Sequence, residues 1–417
     1  MCTVGALITS GCDPYRSWPD EASVFPYVYT PETDLEHWEE VRFETETWTV
    51  QDNPDQAGLY LAKAAYHRTG APVEELAHFA ALNAELPPVS DRAALRLSFA
   101  GDVMWVGENW SAFLTPSAEL LDGDVRVGNL ETPVSAADPT DLSELELLQF
   151  NSPDAILDAL PFDVLQLNNN HSLDMGNDGL ESTVAAVSAH GYASTGVDAH
   201  ASVDVNDGRV VFLSYTWGVN DPSTPTDHDL FIVPFGHLDE PVDMSRIQDD
   251  VAVAREAAEF VVVLLHWGFE YEYYPDPHFM QLAREIIRFG ADVIVGEGPH
   301  VVQPVEICAV NQPDQVPGVG VCSVRTEDDV PRTAAVVYSL GNFGTFMATV
   351  PCQVGIVATV DLQPGAGVSG LGWAAAAAKD APEGGLSVLP LDTLLDDQEL
   401  AAEAERLDAH IGTVWKR

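Results

Sequence analysis

Six short stretches of the sequence share one arrangement: an apolar run stops, and residues able to ligate a metal follow at once. They are Gly101-Asp102, Asn129-Leu130-Glu131, Asn168-Asn169-Asn170-His171, His266-Trp267-Gly268, Gly298-Pro299-His300 and Gly341-Asn342. Carboxylates, amide oxygens and imidazoles are the donors taken by hard-to-borderline divalent ions. Two such ions about 3.5–4 Å apart clamp a phosphoryl-type oxygen and acidify a bridging water, and a histidine beside them can protonate a leaving group. Singly, each stretch has a duller reading. Gly101-Asp102 could be a strand-ending turn, and Asn129 and Glu131 could be exposed residues of one strand face. The asparagine run could be a polar turn, and His266 a buried, hydrogen-bonded histidine. It is their recurrence that points to one site.

The elements carrying them read as short apolar runs alternating with amphipathic ones from residue 95 onward. Strands are expected at "LRLSFAG", "DVRVGNLE", "FDVLQLNNN", "RVVFLSY", "FVVVLLHWG", "ADVIVGEG", "AAVVYSLGN" and "VGIVATVDL". Helices are expected at "SPDAILDAL", "LESTVAAVSAHG", "QDDVAVAREAAE" and "HFMQLAREIIRFG", the last stopping at Gly290. Asn206-Asp207-Gly208 reads as a hairpin turn. Near-continuous apolar strands followed by helices imply a layered α/β domain with both sheet faces covered, and the carboxyl ends of such strands line the ligand crevice. Three regions follow: a lead-in over 1–94 with a helical pair near 55–86, the chemical domain over 95–370, and a tail over 371–417. The tail opens with an Ala-rich linker, "AAAAAKDAPEGG", and closes with an outer helix, "DQELAAEAERLDAHI".

Composition narrows the partners. Against 66 acidic residues stand 18 basic ones, a formal net charge of −48, which repels nucleic acid and anionic lipid headgroups. No run of ~18 apolar residues exists to span a membrane. Cys308 and Cys322 bracket a turn-rich loop that could bring them to bridging distance, and a bridge there would imply an oxidising compartment. The opening "MCTVGALITSGCDP" resembles a lipoprotein export signal cleaved before Cys12. It lacks a leading basic residue, and Thr9 stands where leucine is usual. The expectation is an exported cell-envelope protein, lipid-anchored through Cys12.

The order "FAGDVM", "GNLETP", "LNNNHSLDMGNDGL", "VVVLLHWGFEY", "LAREIIRFGADVIVGEGPHVVQPVE", "VVYSLGNF" closely resembles the bacterial capsule-synthesis CapA family, the poly-gamma-glutamate capsule proteins, over residues 95 to about 362. The resemblance implies a variant of the calcineurin-like metallophosphoesterase fold, two packed mixed sheets flanked by helices (αββα). It also implies roles. Asp102 matches the first metal-ligand aspartate, Glu131 the bridging carboxylate, and His266 an isolated histidine ligand. Asn170 and His171 match the pair that binds metal and donates a proton. Where family members commonly read Gly-His-His-Pro-His, this chain reads Gly296-Glu297-Gly298-Pro299-His300. His300 is kept as a ligand, and Gly298 replaces its partner histidine. Glu297 could reach in as a substitute carboxylate, but, one position out of register in a strand that alternates its faces, it is expected to tend to the other side. Met104 stands where ordinary metallophosphoesterases have histidine, and Glu108 where arginine is common. The cofactor implied is one divalent ion or two, of Mn, Fe, Zn or Mg, the second in doubt because of Gly298.

Two functions remain open from the sequence. One is a cell-surface, metal-dependent hydrolase or transfer enzyme acting on a small phosphoester or a gamma-linked polyglutamate polymer, with His171 and Asn170 catalytic. The other is a non-catalytic capsule-assembly or binding subunit with a degenerate metal site, working beside capsule-synthesis membrane proteins.

Overall fold

The computed structural model describes Phe79 and residues 94–104, 106–135, 149–205, 208–235, 241–312, 322–345, 347, 349–412 and 416–417. The expected helical pair near 55–86, the export signal with Cys12, and Asn206 and Asp207 lie outside these residues.

All eight expected strands form. They are β1 (Leu95–Val103), β2 (Val125–Leu130), β3 (Val164–Gln166), β6 (Gly208–Thr216), β7 (Phe260–His266), β8 (Val293–Glu297), β11 (Arg332–Val337) and β13 (Val354–Gln363). Between and beyond them lie β4 (Ala193–Thr195), β5 (Ala201–Val205), β9 (Val305–Val310), β10 (Ser323–Val324), β12 (Asn342–Gly344), β14 (Gly367–Asp380) and β15 (Leu386–Pro390). The helices are α1 (Gly176–Ala189), α2 (Ser245–Ala257), α3 (Pro277–Phe289), α4 (Val350–Gln353) and α5 (Gln398–Ile411). The "SPDAILDAL" helix is only a short 3₁₀ segment, Asp154–Ala159, bounded by Pro153. Asp276 caps α3 by accepting from the His278 backbone N–H, and the helix stops at Gly290. β5 and β6 pair antiparallel with Val205 opposite Gly208, the hairpin expected there.

The main sheet path runs β4-β3-β2-β1-β13-β14-β11-β8-β7-β6-β5. Its two wings, β4 to β14 and β11 to β5, meet where Thr333 lies opposite Gly367. They pack face to face. Leu95, Leu97 and Phe99 of β1 share one buried cluster with Phe260, Val262 and Leu264 of β7 and with Val293 and Val295 of β8. The alternate residues face outward: Val261, Val263 and Leu265 pack under α2 and α3, while Leu165 packs with Val187 of α1. Period-two alternation with both faces apolar is why these strands read as continuous hydrophobic runs. The result is the expected αββα layering, a mixed α/β fold with helices flanking a large sheet.

Two expectations for the tail are corrected. The Ala-rich segment is not a linker: Ala374–Lys379 lie within β14, paired to β13 on one side and β15 on the other. Small side chains suit a strand whose neighbours approach closely, and they carry no strand signature of their own. The C-terminal helix is not merely external either. Leu400, Ala404, Leu407 and Ile411 of α5 join the central cluster between the wings, and the Trp373 indole donates to Gly412 O at 3.0 Å. Cys308 and Cys322 form the anticipated disulfide. No helix among the described residues is long and apolar enough to cross a membrane.

Candidate metal centre

The ends of β1, β2, β3, β7, β8 and β11 converge, as the six stretches implied. Gly101 makes the convergence possible: a Cβ there would fall 1.8 Å from Gly341 O, so only glycine lets β1 lie against the turn that sets Asp102 opposite Asn342. Asp102, Asn129, Glu131, Asn169, Asn170, His171, His266, His300 and Asn342 are all buried. That disposes of the exposed-edge reading; the asparagine run does form a turn, but a buried one.

Amide side chains hold the carboxylates and histidines in place. Asn129 Nδ2 donates to Asp102 Oδ1 at 2.8 Å and lies 3.5 Å from His266 Nδ1. Asn169 Nδ2 donates to Asn129 Oδ1 and to Leu130 O, while Asn169 Oδ1 accepts from the His171 backbone N–H. Asn342 Nδ2 donates to Cys352 O, leaving its Oδ1 3.0 Å from His300 Nδ1. Asn170 Nδ2 donates to Asn220 Oδ1 at 3.0 Å, and its own Oδ1 is buried without a hydrogen-bond partner.

Ligand atoms of Asp102, Glu131 and His300 lie within 4.8 Å of one another, as do those of Asp102, His266 and Glu297. Asp102 belongs to both groups. His266 Nε2 stands 3.5 Å from Glu131 Oε1, and His300 Nδ1 stands 3.4 Å from Asp102 Oδ2. Both Glu131 carboxylate oxygens and Glu297 Oε2 are fully buried and accept no hydrogen bond. A buried carboxylate without donors is costly, and these two, each grouped with Asp102 and an imidazole, fit divalent cation binding, which would compensate them. The donor set, carboxylate and amide oxygens with imidazole, suits such an ion.

Electrostatics agree with the geometry. Burial pushes the Glu131 carboxyl well above the usual carboxylate range, and the Asp102 charge adds to the effect. Glu297 is raised by the same two causes. Burial brings His266 down to about 4, keeping its imidazole neutral and able to ligate. Asp102 moves the other way. Burial raises it, but the nearby His300, together with the hydrogen bond from Asn129, outweighs that and lowers its pKa overall. Burial disfavours a charged His300, yet Asp102, Glu270 and Glu131 together raise its pKa well above the ordinary value. A cation and the His300 proton would therefore compete for Asp102.

His171 is held beside this group by Asp174, whose Oδ2 lies 2.7 Å from its Nδ1 and also accepts from the Phe150 backbone N–H. Asn220 Nδ2 lies 3.2 Å from the same ring nitrogen, and the Phe150 ring packs against the imidazole edge. Burial raises the Asp174 carboxyl against the opposing pull of His171.

Of the expected residues, Asp102, Glu131, His266 and His300 lie within reach of one another, while His171 is tied to them through Asn169 and Asn170 stands beside it on the same turn. Glu297 is the correction. It follows Val293 and Val295 in the alternation of β8 and pairs in register with His266, so both point to the same face. Counting backward in twos from His300 fails because the chain turns at Gly298 (φ +105°) and His300 (φ +59°), which resets the alternation. Gly298 itself cannot readily carry a histidine: beyond its positive φ, a Cβ there would lie 2.9 Å from Trp267 O. Asp174 and Asn220 were not anticipated. Asp174 stands three residues after His171, a spacing that could have signalled it, whereas Asn220 carries no signal in the sequence. Met104 is buried, and exposed Glu108 lies against the Gly384-Gly385 turn between β14 and β15.

Comparison with known proteins agrees with the motif order. The chain is 30% identical over 254 residues to the PGA biosynthesis protein CapA of Bacillus subtilis (strain 168), covering 54% of this chain and 63% of that protein. It is 28% identical over 211 residues to the capsule biosynthesis protein CapA of Bacillus anthracis, covering 46% and 48%. The chain thus spans less than two thirds of the length of these curated relatives. Among solved structures, a 5'-nucleotidase precursor from Thermus thermophilus aligns with a TM-score of 0.37 at 15% identity, covering 76% of this chain and 59% of that one. The family model described as bacterial capsule synthesis protein PGA_cap matches residues 96–345, and the chain belongs to that family.

Proposed function

We propose that this protein is a metal-dependent hydrolase or transfer enzyme of the cell envelope that acts in the synthesis or processing of a capsule polymer of the poly-gamma-glutamate type. The family and its named relatives support the pathway. The observation that carries a catalytic reading is the set of buried, unpartnered carboxylate oxygens of Glu131 and Glu297 beside Asp102, His266 and His300. A divalent ion bound there would polarise a phosphoryl or acyl oxygen and lower the pKa of an attacking water.

The chain's own residues supply the rest. Asp174 engages His171 at Nδ1, which fixes the ring and leaves Nε2 as the nitrogen able to hand a proton to a leaving group. Asn129 and Asn342 hold Asp102 and His300, so the ligands are set before substrate arrives. The Cys308–Cys322 disulfide supports an oxidising location, in keeping with export and a lipid anchor at Cys12.

A non-catalytic assembly subunit is the second reading. It drew on the glycine at 298, and the placement of Glu297 beside His266 weakens it. Metal content and turnover of a generic phosphodiester and of polyglutamate separate the two, compared for wild type, Asp102→Asn and His171→Ala. Asp102→Asn is expected to lose metal. His171→Ala should keep metal and lose turnover by ~10²–10⁴-fold. Wild-type protein that binds metal yet turns over neither substrate at any ionic strength would favour the assembly subunit.

A further inference from the structure

We propose that Glu297 is itself a metal ligand, completing with Asp102 and His266 a second ion site whose carboxylate stands in for the histidine expected at 298. The inference rests on the metal-centre reading and adds to it a ligand and an ion preference particular to this chain. Four observations carry it. The ligand atoms of Asp102, His266 and Glu297 lie within 4.8 Å of one another. Glu297 is 2% exposed, and its Oε2 meets no donor. The register of β7 on β8 sets Glu297 directly beside His266. Finally, a Cβ at Gly298 would come within 3.3 Å of His266 Nε2, so glycine leaves clear the space next to the imidazole.

The second group shares Asp102 with the first, formed with Glu131 and His300. Each group then offers two carboxylates and one imidazole. Replacing imidazole by carboxylate makes a site harder and more anionic, which suits Mn²⁺ or Mg²⁺ better than a histidine-rich site suits them, and Zn²⁺ less well. With three carboxylates facing two divalent ions, the formal charge of the loaded centre is one unit lower than a histidine at this place would leave it. The substitution therefore tunes the centre toward oxygen-loving ions rather than disabling it.

The test uses the full chain stripped of metal by chelation, with Mn²⁺ as the probe. Free Mn²⁺ is followed by electron paramagnetic resonance, and total binding by calorimetry. Wild type is expected to take up two ions. Glu297→Gln, checked for folding by circular dichroism, should keep one and bind the other at least ~10–100-fold more weakly, since even outer partners of a ligand matter to that extent. Glu297→His should bind two ions but favour Zn²⁺ over Mn²⁺ by at least tenfold more than wild type does. Glu297→Gln that binds two Mn²⁺ with wild-type affinity would overturn the proposal while leaving the metal centre standing. A wild type that binds no ion would overturn the metal centre and this proposal together.

Discussion

Glu131→Gln should stabilise the metal-free protein and forfeit most of the stabilisation that metal brings. Both Glu131 oxygens are buried without a hydrogen-bond donor, and the nearest charged carboxylate is that of Asp102, which pushes the Glu131 pKa further up. In a chelator, exchanging this carboxylate for an amide of the same shape removes an uncompensated buried group, worth ~1–3 kcal/mol. The variant should therefore be more stable than wild type by about that amount. With ion at ~100 times its dissociation constant, wild type gains ~2.7 kcal/mol by mass action. If loss of the ligand weakens binding ~100-fold, as is reasonable for a group closer to the ion than any outer partner, the variant gains only ~0.4 kcal/mol at the same concentration. The metal-induced stabilisation should thus differ between the two proteins by ~2.3 kcal/mol, independently of their starting stabilities. Urea unfolding followed by tryptophan fluorescence, with chelator and then with Mn²⁺, measures all four states. A variant less stable than wild type in chelator, or one stabilised by Mn²⁺ as strongly as wild type, would refute the reasoning.

Gly298→His should fail to improve metal binding and should destabilise the fold by ~1–3 kcal/mol, because the position needs a positive φ and a Cβ would press on Trp267 O; a rise in ion affinity by calorimetry would contradict this. Reducing the Cys308–Cys322 bridge, which spans 14 residues of sequence, should cost ~3 kcal/mol, read as a fall in Tm with dithiothreitol that a Cys308→Ala/Cys322→Ala double variant does not show. Burial, helped by the Arg406 charge, brings His410 of α5 down to about 3. Between pH ~6.5 and about 3 the unfolded chain therefore takes up a proton there that the native chain does not, so this contribution to stability is complete above pH ~6.5 and is lost as pH falls. His410→Leu should flatten the acid limb of the Tm–pH curve, and an unchanged slope would count against it.

Strands such as β7 were legible because two physical demands coincide in them. Both faces of "FVVVLLH" are covered, so every position is apolar, and the first residue past the apolar run, His266, faces the ligand crevice. β14 was illegible for the opposite reason. Its alanines satisfy a tightly paired strand by being small, and nothing in "AAAAA" distinguishes that demand from a linker or helix. The helical period of "DQELAAEAERLDAHI" revealed α5 but not its depth, since an apolar stripe does not say whether it meets the core or a sheet edge. Within the site, residues that end an apolar run or belong to a recognisable motif were found, and a partner supplied across space was missed. His171 announces itself, whereas Asn220, about fifty residues away, is recruited by the loop after β6. Glu297 shows where the limit lies. Alternation assigns faces only while φ stays negative, and the chain reverses that sign at Gly298, between the residue being judged and His300, the reference used to judge it. Counted instead from Val293 and Val295, on the regular side of that turn, the same rule places Glu297 with His266 and Asp102. Face assignments near a functional loop should therefore be propagated outward from the strand, never inward from the loop's most recognisable residue.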